Sequence, residues 1–227
     1  MDQVTAKADS EERSAACPLD KFSKEDLIRL IGDYSKTWLA LDGVWFQSVE
    51  QADGMEAAMF HDARAWERFT VIEAKRIKSF LGLEERPGLD GLERALSLRF
   101  YANINEATFK REDGKLIYTM KKCRVQSARE RKGMPYHPCK PVGEIEYSGF
   151  AKTIDDRIAC RCLSCYPDVT DSSCCCKWEF SVVSDRGQES GVRSQGSGVV
   201  TAPCGWARPL GKRPSRAERV PRSQELE

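Results

Sequence analysis

Apolar residues recur at helical spacing through the first half of the chain. Leu27, Leu30, Ile31, Tyr34, Trp38 and Leu41 fall three or four apart, as one face of a helix requires. Ser23-Lys24-Glu25-Asp26 precedes them as a capping box, in which the Ser23 hydroxyl accepts a backbone N–H and Asp26 reaches back. The pattern continues through Val44, Trp45 and Val49 to Gly54, which predicts one long or kinked helix. A second helix is predicted over residues 55–81, carrying Met59, Trp66, Phe69, Ile72 and Ile77, with Gly82 as its stop. After the turn at Pro87-Gly88 a third is predicted over residues 89–101. The aromatics on these helices could line a ligand cavity, but at this spacing they read first as core packing. His61 shares the pattern and reads as a polar residue near a helix surface.

At Ala107 the period changes to two. Residues 108–111 and 115–120 flank Glu112-Asp113-Gly114, where Asp-Gly predicts a hairpin turn. Residues 123–132 read as a short helix closed by Gly133. Pro135, Pro138 and Pro141 then predict an extended loop. Residues 142–147 follow as a strand, 150–154 as a helical turn and 157–162 as an extended piece. The last strand is predicted over 174–183, with Cys174, Cys176, Trp178 and Phe180 on its inner face and Cys175, Lys177 and Glu179 on its outer face. The expected fold is α+β: N-terminal helices packed with a small, mostly antiparallel sheet. Residues 1–21 read as a disordered lead-in containing Cys17. Residues 22–183 read as a single domain, helical over 22–105 and cysteine-rich β over 106–183. Residues 184–227 are dominated by Gly, Ser, Arg and Pro without periodicity and read as a disordered tail.

Composition narrows the function classes. A net charge of +1 gives no global field to select nucleic acid or a membrane surface, and 41 % hydrophobic residues allow an ordinary core. No apolar run reaches the roughly 18–20 residues needed to span a bilayer. The polar N-terminus has no apolar stretch of the secretory kind, so a cytoplasmic location is expected. Ten cysteines in a reducing compartment serve as metal ligands, redox groups or small buried hydrophobes rather than as disulfides.

The candidate chemistry lies between Cys160 and Phe180, which hold six of the ten cysteines. Cys162-Leu-Ser-Cys165 reads as a tight C-x-x-C turn, followed by Tyr166-Pro167-Asp168. With Cys139 and Cys176 it would make a tetrathiolate for zinc or an iron–sulfur cluster, with Cys123 or His137 as substitutes. Thiol chemistry at the C-x-x-C and plain core packing of the cysteines are the other readings. Lys121, Lys122, Arg124, Arg129, Arg131 and Lys132 form a basic cluster. Arg124 and Arg129 could take an anionic ligand beside Cys123, or the cluster is a solvated helix face. It lacks interleaved aromatics, which argues against single-stranded nucleic acid. The expectation is a cysteine-rich metal-binding protein that binds or processes a small molecule. The rival is a non-enzymatic interaction module whose metal, or whose packed cysteines, only hold the fold. A pocket reaching Cys123, Cys139 or Glu146 would favour the first. Enzymatic activity and oligomeric state stay open.

Several separate motifs occur in order. They are Leu41-Asp42-Gly43-Val44-Trp45-Phe46, Trp66-Glu67-Arg68, Cys123-Arg124-Val125-Gln126-Ser127-Ala128-Arg129, Pro138-Cys139-Lys140-Pro141-Val142-Gly143, Glu146-Tyr147-Ser148-Gly149-Phe150-Ala151, Cys162-Leu163-Ser164-Cys165 and Cys176-Lys177-Trp178-Glu179-Phe180. Over about residues 22–182 the chain resembles an uncharacterised family of prokaryotic cytosolic proteins. More distantly it is similar to the 4-vinyl reductase domain, a small-molecule-binding module with predicted metal-binding cysteines. The 2-amino-thiazoline-4-carboxylate hydrolase family has a comparable layout. Two features depart from the family pattern: Cys174 and Cys175 are extra, and a long Arg/Gly/Ser tail follows Val182.

Overall fold

A computed structural model describes residues 18–183, which fall within one compact unit, Met1–Gly187. Cys17, most of the expected lead-in and the expected tail lie outside the described residues. The end of the lead-in is ordered, as a 3-10 turn at Pro18–Lys21.

Helix α1 spans Lys24–Asp53, and Ser23 caps it as expected: its Oγ accepts the Asp26 N–H at 3.1 Å. Helix α2, Met55–Phe80, packs on α1. The third helix is shorter than its pattern: α3 covers Gly88–Leu96, and a separate 3-10 turn follows at Phe100–Asn103. Between them Arg99 is extended, at φ −60° and ψ 149°, and its side chain is directed into the core.

Strands β1 (Glu106–Glu112), β2 (Lys115–Lys122), β3 (Ile158–Cys165) and β4 (Cys176–Val182) form one sheet in the order β1-β2-β4-β3. Every neighbouring pair is antiparallel. The fold is therefore α+β. Helices α4 (Arg124–Arg131) and α5 (Lys140–Ile154) carry the chain from β2 to β3. Leu116, Tyr118, Met120, Ile158, Trp178 and Phe180 are buried in the core that the sheet shares with α5. Helix α2 packs on α5 in turn, so the layers run α1, α2, α5, sheet. No helix among the described residues is long and apolar enough to cross a membrane.

Two expected elements are replaced by α5. Residues 142–147 are not a strand, and residues 150–154 are the end of the same helix. Pro141 sits in its first turn, where a missing N–H costs nothing. Val142, Glu146, Tyr147, Phe150, Ala151 and Ile154 make its buried face. Gly143 and Gly149 are there for close approach. A Cβ on Gly143 would lie 2.7 Å from Trp178 Cζ2, and one on Gly149 would lie 2.8 Å from Thr70 Cγ2. These two glycines let α5 press against the sheet on one side and α2 on the other.

The last strand begins at Cys176, later than its pattern. Cys174 and Cys175 lie in the preceding loop, facing the carbonyls of Asp171 and Lys121 at 3.7 and 3.5 Å.

Candidate functional site

The C-x-x-C is a bulged strand rather than a turn. On β3, Cys162 pairs with Trp178 and Cys165 with Cys176, with a register shift between Cys162 and Ser164. Residues three apart on an unbroken strand point to opposite faces. The bulge absorbs one residue and brings both thiols to the face shared by Cys176 and Trp178. Cys165 then pairs with Cys176 across the strands, and Cys139, Cys162 and Cys176 are the neighbours that perturb its thiol. The Cys165 thiol holds Cys162 below the ordinary thiol range, helped by the Lys140 charge. Cys139 and Cys162 together push Cys165 up.

All eight described cysteines are free thiols. Among the described residues no group of three or more His, Cys, Asp or Glu is arranged to hold a metal ion. The four sulfurs of the expected tetrathiolate are neighbours around Cys165, not corners of one coordination shell.

Cys139 has a second set of partners. It ends the proline loop and caps α5. Gln126 on α4 clamps this loop. Its Nε2 donates to the His137 carbonyl at 2.8 Å and to Cys139 Sγ at 3.1 Å, and its Oε1 accepts the His137 N–H at 3.0 Å. The His137 imidazole is fixed between two groups. Nδ1 lies 3.2 Å from Cys139 Sγ, and Nε2 lies 3.3 Å from Asp62 Oδ2 on α2. The Phe46 ring packs on the imidazole at 4.7 Å between centroids. With Nε2–H donated to Asp62, the Nδ1 lone pair faces the thiol. Asp42, on α1, forms no hydrogen bond or ion pair with the described residues. Burial, then the Asp62 charge, push its carboxyl up to about 6.

A separate charge cluster closes the other end. Arg99 is 2 % exposed. Its Nε donates to Glu73 Oε2 at 2.9 Å, and its Nη1 lies 2.6 Å from Glu146 Oε1. The second contact is close but misaligned, so Glu146 Oε1 and Arg99 Nη2 lack hydrogen-bond partners among the described residues. Burial alone would lower Arg99, but Glu146 and Glu73 keep it charged. Burial pushes Glu146 up to about 7, against the pull of Arg99. The Arg99 guanidinium lies 4.8 Å from the Phe150 ring centroid and 5.4 Å from that of Tyr101. Trp178 Nε1 is also buried without a partner: it approaches the Cys176 sulfur without hydrogen-bond alignment.

Both ends face one partly open cavity of about 150 Å³, walled by α1, α2, α4, α5 and the sheet. Its wall includes Asp42, Asp62, His137, Cys139, Glu146 and Trp178. Cys123, Cys165 and Cys176 also reach it. A cavity of about this size accommodates a benzene-sized molecule. Burial pushes the Cys123 thiol up to about 12, so it stays protonated. Cys162 lies outside the cavity wall, behind Cys165. Of the two arginines expected to take an anion, Arg129 is bidentate to Glu50 at 2.9 and 2.7 Å, and Arg124 is exposed at the rim.

Residues 20–182 match the model of DUF6125, a family of unknown function. The chain belongs to the DUF6125 family. No curated protein and no solved structure matches it, and a likeness to the 4-vinyl reductase or thiazoline hydrolase families is not shown. The span matched to DUF6125 contains every residue of the cavity wall. Reasoning from sequence missed Asp42, Asp62, Arg99, Gln126 and Trp178 as site residues. The signal that was present is local: His137 and Cys139, two apart in a loop stiffened by three prolines.

Proposed function

We propose that this DUF6125 protein binds a small molecule in the cavity and acts on it through the Cys139 thiol. The Asp62–His137–Cys139 line, facing the cavity, carries this reading. His137 Nδ1 takes the Cys139 proton, and the sulfur adds to an electrophilic carbonyl or activated-alkene carbon of the ligand; the C–S bond forms as the π bond breaks, and the released electron pair takes the proton back from the imidazolium. Asp62 holds the ring and stabilises the imidazolium that results. Such a thiol belongs in a reducing, cytoplasmic setting. Limiting iodoacetamide, with peptide mapping by mass spectrometry, tests it. Cys139 should take label well before Cys123, Cys160 and Cys176, and His137→Ala should slow it by roughly 10²-fold. Labelling of Cys139 no faster than of these thiols, or unaffected by His137→Ala, would sink the reading.

A second reading has its own support. The bulge that turns Cys162 and Cys165 to one face, beside Cys139 and Cys176, favours zinc or, less well, an iron–sulfur cluster. Cys123 or His137 could replace a ligand after small side-chain shifts. The two readings exclude each other at Cys139, because a metal-bound sulfur is not a free nucleophile. Anaerobic purification followed by elemental analysis and an absorption spectrum separates them. On the metal reading about one zinc per chain is found, Cys162→Ser loses it and Cys175→Ser keeps it.

A further inference from the structure

We infer that the ligand of this cavity is a small organic cation, held through its ammonium or amidinium group by Asp42, with Glu146 Oε1 as a second acceptor further along the wall. The inference rests on the small-molecule reading of the Cys139 site and adds the charge of what enters. The buried charges around the cavity do not balance. Arg129 is taken up by Glu50 in a bidentate pair. Asp62 is taken up by His137. Arg99 answers Glu73 with an aligned hydrogen bond and leaves Glu146 Oε1, on the cavity wall, without one. Asp42, on the same wall, has no hydrogen bond or ion pair among the described residues. The remaining arginine of the lining, Arg124, is exposed at the rim.

Around the cavity the described carboxyl groups therefore outnumber their cations: Arg99 serves both Glu73 and Glu146, and Asp42 has none. Buried carboxylates are costly to leave unpaired. Glu146 is 7 % exposed, so water does not relieve the cost there. A cationic ligand supplies the missing charge, and its N–H groups would complete the Glu146 acceptor. The unpartnered Trp178 Nε1–H on the same wall would donate to an acceptor atom elsewhere in the ligand. The cavity volume, about 150 Å³, suits a cationic group on a portion of about benzene size.

Charge-matched thiol reagents test this on the full chain. Methanethiosulfonates react when a thiolate attacks the sulfenyl sulfur and methanesulfinate leaves, giving a mixed disulfide. The 2-aminoethyl (cationic), methyl (neutral) and 2-sulfonatoethyl (anionic) reagents are compared at Cys139 by peptide mapping. Each rate is normalised to the same reagent with free cysteine. The cationic reagent should be favoured over the neutral one by roughly ten-fold. That advantage should vanish in Asp42→Asn, with circular dichroism and the thermal midpoint confirming the fold. Equal or reversed rates, or an advantage that survives Asp42→Asn, would overturn the cation while leaving the Cys139 site standing. If no reagent modifies Cys139, the site reading fails first and takes this inference with it.

Discussion

The two ends of the cavity bury charge in different ways. At one end Arg99 sits among aromatic rings with two carboxylates, and its ion pairs link α2, α5 and the segment after α3. At the other, His137 bridges Asp62 and Cys139 with contacts of 3.3 and 3.2 Å, and Asp42 stands beside them unpaired. The first arrangement is tied into the core from several elements. The second keeps a base, a thiol and a carboxyl group facing open space. Burial by itself does not mark a functional group; what marks it is polar capacity that the protein has left unused.

The sharpest way to break this contrast is at the tied end. Arg99→Ala leaves Glu73 and Glu146 buried without their cation and should cost about 3–5 kcal/mol in a urea titration. A loss under about 1 kcal/mol would mean that the cluster does not hold the layers together. Gly143→Ala comes next. The new methyl meets the Trp178 ring, and overpacking there should cost about 1–3 kcal/mol. A neutral result would show that α5 can lift from the sheet and that the cavity wall is soft.

The open end should give a smaller effect that depends on pH. Burial and Asp62 raise the Asp42 carboxyl from 3.8 to about 6, so the folded state keeps that proton longer than the unfolded state does. The contribution is therefore full below about pH 3.8 and is lost as pH rises through about 6. Asp42→Asn should remove this dependence and, after allowance for solvent screening, be more stable than the parent by about 1–2 kcal/mol at pH 8. Parallel stability curves for parent and variant between pH 4 and 8 would contradict the buried, unpaired state of Asp42. The smallest effect belongs to Cys175→Ser. This thiol lies in a loop off the cavity, and its loss should stay within about 0.5 kcal/mol.

Much of the frame could be read from the chain. Helical spacing and the Ser23 cap located α1, and period two placed Cys176, Trp178 and Phe180 on the inner face of the last strand. What was not legible has physical causes. Gly143, Gly149 and the prolines before them argue locally against a helix, and only the packing of α5 against Trp178 and Thr70 explains them. A bulge reverses the facing of every residue beyond it, and nothing in Cys162-Leu-Ser-Cys165 announces one. Asp42 and Asp62 lie far along the chain from Cys139, on helices whose periodicity reports packing alone. Only the tertiary fold brings them to the imidazole.

The most direct test is the rate of Cys139 alkylation by iodoacetamide in Asp62→Asn against the parent at pH 7. Asp62 touches neither the thiol nor the reagent; it acts only by orienting His137 and stabilising its charge. The rate at Cys139 should fall on the order of 10²-fold while the labelling of Cys175 and the thermal midpoint stay the same. An unchanged rate at Cys139 would mean that the Asp62–His137–Cys139 line is a packing contact and that the cavity has no chemistry built into it.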